Sequence, residues 1–408
     1  MQKSVEPNFE SKKVAIFHWG LMSIHCFYLA EQLALNNIQV DIYLYSPDFI
    51  LKDSFQYKLV DKLPKNVKVT ELVCTQNERN LIAINSIIGK LYKPIPQLCI
   101  NAFLPARTRN VFDHNQFDSI FTITQSSLYW LYQTDETALK KVIHYTLEID
   151  KLTDPGIVKR SFHSFLIKIE KKLLHKVNAL MVQDEDRAYA LLTKDYPLML
   201  KHLHFPVSVP GEKVMSKNNY LHSKLHLPSQ KKIILYYGAI YRERKIDELV
   251  EAAEKLLSED YILVLHGAGD FSHLTKNKKK VLPSTEMLPF EELYKLCSSA
   301  RIAIAFYDQG WPNTQLTAFS SEKIARYLQC GVPFIALKNA NYLRLKNEFN
   351  CCILIEDFNE LEKAIEEIEN SYNDFVMAAY AAFEKYYKIE NTIKPVLEFI
   401  RNQQASIF

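Results

Sequence analysis

Short runs of β-branched and aromatic residues alternate along the chain with longer segments whose apolar residues recur at helical spacing. Runs of this kind predict strands over Val14–Trp19, Val40–Tyr45, Val67–Val73, Ser119–Thr124, Val142–Thr146 and Ala179–Gln183. A second set is predicted over Ile233–Tyr237, Tyr261–His266, Ile302–Tyr307, Val332–Leu337 and Cys352–Ile355. Strands that alternate with helices imply parallel sheets joined by crossover helices, an α/β architecture. Between the sets, Phe205-Pro206-Val207-Ser208-Val209-Pro210-Gly211 and the polar stretch from Glu212 to Gln230 lack periodicity and read as a linker. The expected organisation is two α/β halves, residues 1–207 and 208–387, with a last helix over about Asn391–Ile400 that no strand follows.

Two helices of the second half are read most directly. Ile246, Leu249, Val250, Ala253, Leu256 and Leu257 recur at helical spacing after Lys245, and Ile324, Tyr327 and Leu328 do so after Glu322. Gly331 is placed as the stop of the latter helix. In open α/β sheets ligands bind beyond the carboxyl ends of the strands. Candidate chemistry is therefore sought in the loops that follow strands.

Composition sharpens that search at one point. The chain of 408 residues has 9 glycines, where average usage would give roughly 29. Glycine used so sparingly marks places where a side chain does not fit, which singles out Gly20, Gly238, Gly267, Gly269 and Gly331. Lys and Arg number 50 against 47 Asp and Glu, a net charge of +3, so no overall polyelectrolyte character points to nucleic acid. No apolar run is long enough for a membrane-spanning helix, and the polar start Met1-Gln2-Lys3-Ser4-Val5-Glu6-Pro7 does not resemble a secretory signal. Seven cysteines without a C-x-x-C pair suggest free thiols in a reducing compartment, so cytoplasm is the expectation.

Three segments can carry chemistry. In Tyr236-Tyr237-Gly238-Ala239-Ile240-Tyr241-Arg242-Glu243-Arg244-Lys245 a buried strand ends at glycine, and three cations follow before a helix. Such a loop can hold a diphosphate through side-chain charge, and equally can be a solvated connection. Leu263-Val264-Leu265-His266-Gly267-Ala268-Gly269-Asp270 ends a strand in G-x-G, which lets backbone amides approach a ligand but also describes a plain tight turn. Ser320 or Ser321 is a natural N-cap for the helix that begins at Glu322. Its free amides and dipole would suit a phosphate, although most such helices in parallel α/β proteins bind nothing.

In order and spacing these segments resemble the group 1, retaining-type glycosyltransferases of the GT-B fold. The resemblance runs from about Ile233 to Tyr387 and includes Leu288-Pro289-Phe290-Glu291-Glu292-Leu293 and the Lys-Ile-x-x-Tyr-Leu-x-x-Gly-x-Pro segment from Lys323. It is looser in the first half, at Phe17-His18-Trp19-Gly20, His144-Tyr145-Thr146-Leu147-Glu148 and Met181-Val182-Gln183-Asp184-Glu185-Asp186-Arg187. It implies two Rossmann-like domains with parallel sheets facing across a cleft: an acceptor-side domain over 1–207, on which the C-terminal helix of 388–408 packs back, and a donor domain over 208–387. It further implies transfer of a sugar, hexosyltransferase-like, from a nucleotide-diphosphate donor to a glycan or lipid-linked saccharide, as in polysaccharide biosynthesis. The donor is a substrate, and neither cofactor nor metal is expected. Arg242, Arg244 and Lys245 would take the diphosphate, with Gly238 and Gly267 allowing its approach. The amides of Ser320 and Ser321 would assist, and Glu322 would hold ribose or sugar hydroxyls. Gly20, His144 and Glu148 would face the acceptor, with His144 and Glu148 positioning hydroxyls or taking a proton; a structural role for the latter two is the alternative.

Two positions depart from the family pattern. Ala239 stands where an Arg is usual, and Arg326 where a ribose-binding Glu is usual, with Glu322 one helical turn earlier. Either Glu322 takes over, or the donor is held differently, or donor binding has been lost. The alternatives are a nucleotide-sugar epimerase, which can share the fold and would need no acceptor, and a catalytically silent partner that kept the fold, which Ala239 and Arg326 motivate. A dinucleotide-dependent dehydrogenase is disfavoured because a single glycine follows strand one.

Metal ligation is not expected at Asp184-Glu185-Asp186, where acids at a helix start are favoured by the dipole alone. His202-x-His204 and His222-x-x-x-His226 have ligand spacing but no obvious Cys or carboxylate nearby to complete a site, so solvated or packed histidines are expected. Between Arg79 and Phe112 there is no acid, while Arg79, Lys90, Lys93, Arg107 and Arg109 alternate with apolar residues. Such a stretch, residues 79–112, can contact the inner face of an anionic membrane or a lipid-linked acceptor, and equally can be core with basic flanks.

Overall fold

Both halves build a doubly wound parallel sheet, as the strand–helix alternation predicts. In the computed structural model, residues 12–20, 22–45, 59–72, 103–149, 161–192, 201–238, 246–267, 272–285, 288–307 and 312–403 are described. The chain divides into two units, Met1–Phe205 with Ile393–Phe408, and Pro206–Thr392.

Among the described residues the first unit has seven strands: β1 (Lys13–Trp19), β2 (Gln39–Tyr45), β3 (Val67–Glu71), β4 (Ser119–Ile123), β5 (Val142–Tyr145), β6 (Ala179–Val182) and β7 (His202–His204). They are all parallel, in the order β3-β2-β1-β4-β5-β6-β7. The second unit has β8 (Lys232–Tyr237), β9 (Tyr261–His266), β10 (Val281–Ser284), β11 (Ile302–Ala305), β12 (Phe334–Leu337) and β13 (Cys352–Ile355). Its order, β10-β9-β8-β11-β12-β13, repeats the same pattern. In each sheet the winding reverses beside the first strand, between β1 and β4 and between β8 and β11, and such reversals open a crevice at the carboxyl ends of the strands.

Because both faces of these sheets are covered, strand residues alternate between two cores rather than between core and water. Ile233, Leu235 and Tyr237 join one core of the second unit, with Val264, Ala303 and Phe334. Ile234 and Tyr236 join the other, with Leu263, Ile304 and Ile335. In the first unit an aromatic cluster organises one face, with Phe17 4.8 Å from Trp130 and 4.9 Å from Phe112 between ring centroids.

Two strands escape the sequence pattern, β7 and β10. Each is a short edge strand, and β10 contains Pro283, which an edge tolerates because one side of the strand needs no ladder donor. The expected linker is also different. Val207, Ser208 and Val209 are buried, with Val207 N–H donating to Phe319 O and Val209 N–H to Tyr387 O. Short apolar side chains between prolines here fill a core instead of spanning solvent, and the polar stretch after them contains the helix Tyr220–Lys224. The last helix, Lys394–Asn402, belongs to the first unit, where Phe399 lies under Lys201 and Gln403 accepts from Ser119.

Candidate functional site

The crevice of the second sheet lies where β8 and β11 diverge, and the residues there are held from the helix Glu322–Gln329. Past Ala303↔Leu235 the β8–β11 ladder ends. The hydroxyl of Tyr327 takes over, accepting from Tyr237 N–H and lying 3.3 Å from both Leu235 O and Ile304 O. This pins the helix under the open ends of both strands. Its N-cap, Ser321, makes no capping bond; its Oγ meets the Tyr307 hydroxyl instead. The helix start is therefore not sealed by its own cap residue, which suits an anion. Ser320 is turned away, with its Oγ donating to Leu316 O and its N–H to Thr317 O.

Gly238 and Gly267 end β8 and β9 and pack backbone against backbone. Gly238 N–H donates to His266 O. Both glycines have positive φ, 138° and 152°, and a Cβ on Gly267 would stand 2.0 Å from the Gly238 carbonyl oxygen. No side chain fits there. Beside this turn lies Lys323, the first residue of the Lys-Ile-x-x-Tyr-Leu segment, to which the sequence assigned no role. It is buried, with Nζ 4.3 Å above the Tyr236 ring and 4.6 Å above that of Tyr307. A Cβ added at Gly238 would be 3.2 Å from Nζ, so the ammonium sits directly under the glycine turn. The signal was present: Lys323, Ile324 and Tyr327 share the buried stripe of the helix, and a charge on such a stripe has to be held by partners.

Glu322 and Arg326 neutralise one another. Arg326 Nε donates to Glu322 Oε1 at 2.9 Å, and the Tyr237 hydroxyl donates to Oε2 at 3.2 Å. Arg326 Nη1 also donates to Gln329, which in turn donates to Pro210 O and Glu212 O. The arginine at the departing position is thus folded into a buried hydrogen-bonded chain, and both oxygens of Glu322 are engaged by protein. Arg242, Arg244 and Lys245 lie outside the described residues.

The first sheet offers a second crevice, at the ends of β1 and β4. Gly20 N–H donates to Tyr45 O, and a Cβ at Gly20 would meet nothing within 4 Å. Trp19 N–H donates to Ser127 Oγ across the crevice of the sheet. Thr124, the first residue after β4, has φ 73°, an unusual conformation for a β-branched residue and one that local packing has to enforce. His18 is buried against Ser23, whose Oγ caps the next helix; burial drives its pKa down to about 4, with His25 adding and the Gly20 backbone opposing.

His144 and Glu148 are separated. His144 is enclosed within β5, its Nδ1 2.9 Å from Thr122 Oγ1 and its Nε2 3.0 Å from Glu170 Oε1, so both ring nitrogens already have buried partners. A direct contact of this ring with an acceptor does not follow from the arrangement, because a residue inside a strand points into a core. Glu148 is exposed in the loop after β5. That loop is pinned by Gln183, which donates to Thr146 O, and by buried Arg187, which donates to Leu147 O. The Gln183-to-Arg187 segment therefore supports this loop from β6, and Asp184 serves as the cap of Glu185–Leu191, accepting from Arg187 N–H.

Of the basic apolar stretch, residues 79–102 lie outside the described residues. In its remainder Leu104 and Phe112 are core, and Arg109 is committed to the carbonyls of Gln133 and Thr134. Among the described residues no helix is long and apolar enough to cross a membrane. His222 is packed, with Nε2 on Lys231 O. His202 and His204 converge with Glu185.

No protein-family description and no curated protein matches the chain. Solved structures do. Sucrose-phosphate synthase of Thermosynechococcus elongatus superposes with a TM-score of 0.68 at 15% identity, covering 97% of this chain and 100% of that one. HepE of Anabaena, solved with UDP and glucose, gives 0.65 at 12% identity over 98% and 100% of the two chains. A glycosyltransferase of Rickettsia africae gives 0.67 at 13% over 98% and 100%. The fold is GT-B.

Proposed function

We propose that the protein is a glycosyltransferase. It moves a sugar from a nucleoside-diphosphate donor to a hydroxyl of a glycan or lipid-linked saccharide, without metal and with retention at the anomeric carbon. The observation that supports this best is the Gly238–Gly267 turn set against Lys323 and the start of the Glu322–Gln329 helix, at the reversal point of the second sheet. As the sugar–phosphate bond breaks, negative charge grows on the departing diphosphate. A preorganised ammonium, helix amides and the cations Arg242, Arg244 and Lys245 would lower the energy of that charge. The leaving phosphate can itself take the acceptor's proton, so no protein nucleophile is required. The neighbours solved with UDP and with UDP-glucose support a sugar nucleotide as the ligand class. Neutralisation of Glu322 by Arg326 supports a donor held mainly through phosphates rather than ribose.

The test is a comparison of ligands that differ only in phosphate. Thermal stability is expected to rise with at least one of UDP, GDP and ADP, since a ligand bound only by the native state stabilises it. Replacing Arg244 and Lys245 by Ala is expected to weaken that diphosphate by at least about tenfold and its nucleoside little, because charge-assisted bonds to phosphate are lost. Equal losses for both ligands would remove the roles assigned. No shift with any nucleotide, in well-folded protein, would favour a partner protein that kept the fold.

Lys323→Met provides a separate check. Removing a buried ammonium for an apolar chain of similar length is expected to leave the urea midpoint unchanged or higher. Diphosphate affinity is expected to fall by roughly 10- to 100-fold, the equivalent of one charge-assisted contact. Calorimetric titration of the variant reads the second effect, and unchanged affinity would place Lys323 outside the site.

A further inference from the structure

We propose that Glu185, His202 and His204 form a binding site for one transition-metal dication of the zinc class, at the edge of the first sheet. The two histidines are the ends of β7, and residues two apart on a strand project to the same face. Both rings reach one oxygen: His202 Nε2 lies 3.1 Å and His204 Nε2 3.0 Å from Glu185 Oε2. The ring centroids are 5.2 Å apart at 37°, and the three ligand atoms all lie within 4.8 Å of one another. Two imidazoles and a carboxylate are a donor set for zinc and its neighbours rather than for calcium or magnesium. An ion at about 2.0–2.2 Å from each would need only small separations of groups that already converge, with water in the fourth position.

The ligands come from two rigid supports. β7 pairs with β6 through Leu180↔His202 and Val182↔His204. Glu185 opens a helix whose cap, Asp184, accepts from the N–H of Arg187, itself buried and bonded to Leu147 O. The three side chains are partly exposed, so an ion can enter from solvent. With Nε2–H directed at Glu185 the metal-free rings are Nε2–H tautomers; on binding, each of these protons passes through solvent to Nδ1, so that Nε2 presents its lone pair to the ion. The ion would tie a three-residue edge strand to the helix before it, where the unpaired strand edge otherwise depends on a single ladder. No step of the proposed sugar transfer passes through it.

The experiment uses the full chain stripped with a chelator and titrated calorimetrically with zinc chloride. One ion per chain is expected, with a rise in melting temperature that the chelator reverses. Loss of an outer partner alone costs about 10- to 100-fold in metal affinity, so His202→Ala and His204→Ala should each weaken binding at least that much. Glu185→Gln, which keeps the shape, should do the same, and His175→Ala, an exposed histidine of the same unit, should not. Melting curves in chelator establish that each variant is folded. Zinc binding that survives His202→Ala with His204→Ala would overturn the proposal. So would the absence of binding by the native chain, which would leave a histidine–carboxylate ion pair and nothing more.

Discussion

Gly267→Ala is expected to destabilise the protein by about 3 to 5 kcal/mol and to abolish diphosphate binding with it. The added methyl would sit 2.0 Å from the Gly238 carbonyl oxygen and 2.9 Å from its carbonyl carbon. Backbone cannot rotate away as a flexible side chain can, so β8 and β9 would have to part at their carboxyl ends. Overpacking of this kind costs about 1–3 kcal/mol, and a non-glycine residue at φ 152° adds strain of roughly similar size. Gly20→Ala is the matched comparison. Its φ is 101°, but nothing lies within 4 Å of the new methyl, so only the conformational cost remains. Urea denaturation of both variants measures the difference. Equal midpoints for Gly267→Ala and the native chain would show that the two turns do not touch.

Acid is expected to weaken the fold well before ordinary carboxylates protonate. His18 and His266 are both buried, and burial lowers each pKa from 6.5 to about 4; beside His266 the charge of Lys224 adds to the effect. His266 is held neutral with Nδ1 2.9 Å from Ser284 Oγ. Below pH 6.5 the unfolded chain binds more protons than the folded one. Stability from these rings is therefore complete above pH 6.5 and lost as the pH falls toward 4. At pH 5 the loss is about 2 kcal/mol for each ring, roughly 4 for the pair. Chemical denaturation at pH 7, 6 and 5 reads it directly, and His18→Gln should remove about 2 kcal/mol of the change between pH 7 and pH 5. Identical stabilities at pH 7 and pH 5 would contradict the buried, neutral state of both rings.

Much of the fold was legible because it follows from local pattern. The β-branched runs of the central strands are buried on both faces, so they stand out against any helix around them. Ile246 to Leu257 and Ile324 to Leu328 show helical spacing, and the observed helices, Ile246–Leu256 and Glu322–Gln329, follow it. Gly331, with φ 58° and a would-be Cβ 2.4 Å from the Tyr380 ring, ends the second of these as a left-handed stop must. The edges were less legible. β7 has three residues, two of them histidine, and neither its length nor its polarity distinguishes it from a loop. Its existence depends on β6 lying alongside.

The candidate site divides in the same way. Gly238, Gly267 and Ser321 were marked by rarity or by cap chemistry, both local signals. His144 was marked as a reactive group because it follows a strand pattern, yet its place is set by Thr122 and Glu170, 22 and 26 residues away. Likewise the engagement of Glu322 with Tyr237, 85 residues distant, has no trace in its neighbours.

By itself the sequence determined that this chain is α/β in two halves, where most strands begin and end, and that Gly267 and Gly331 stand where a side chain does not fit. These are consequences of periodicity and of backbone sterics, and each acts within a few residues. Only the tertiary structure decided that Lys323 is buried under the Gly238 turn, that Glu322 accepts from Tyr237, and that Glu185 completes the His202–His204 pair. Charge and hydrogen bonding depend on distance in space and on exclusion of water, and both are set by segments that meet only when the sheets are wound.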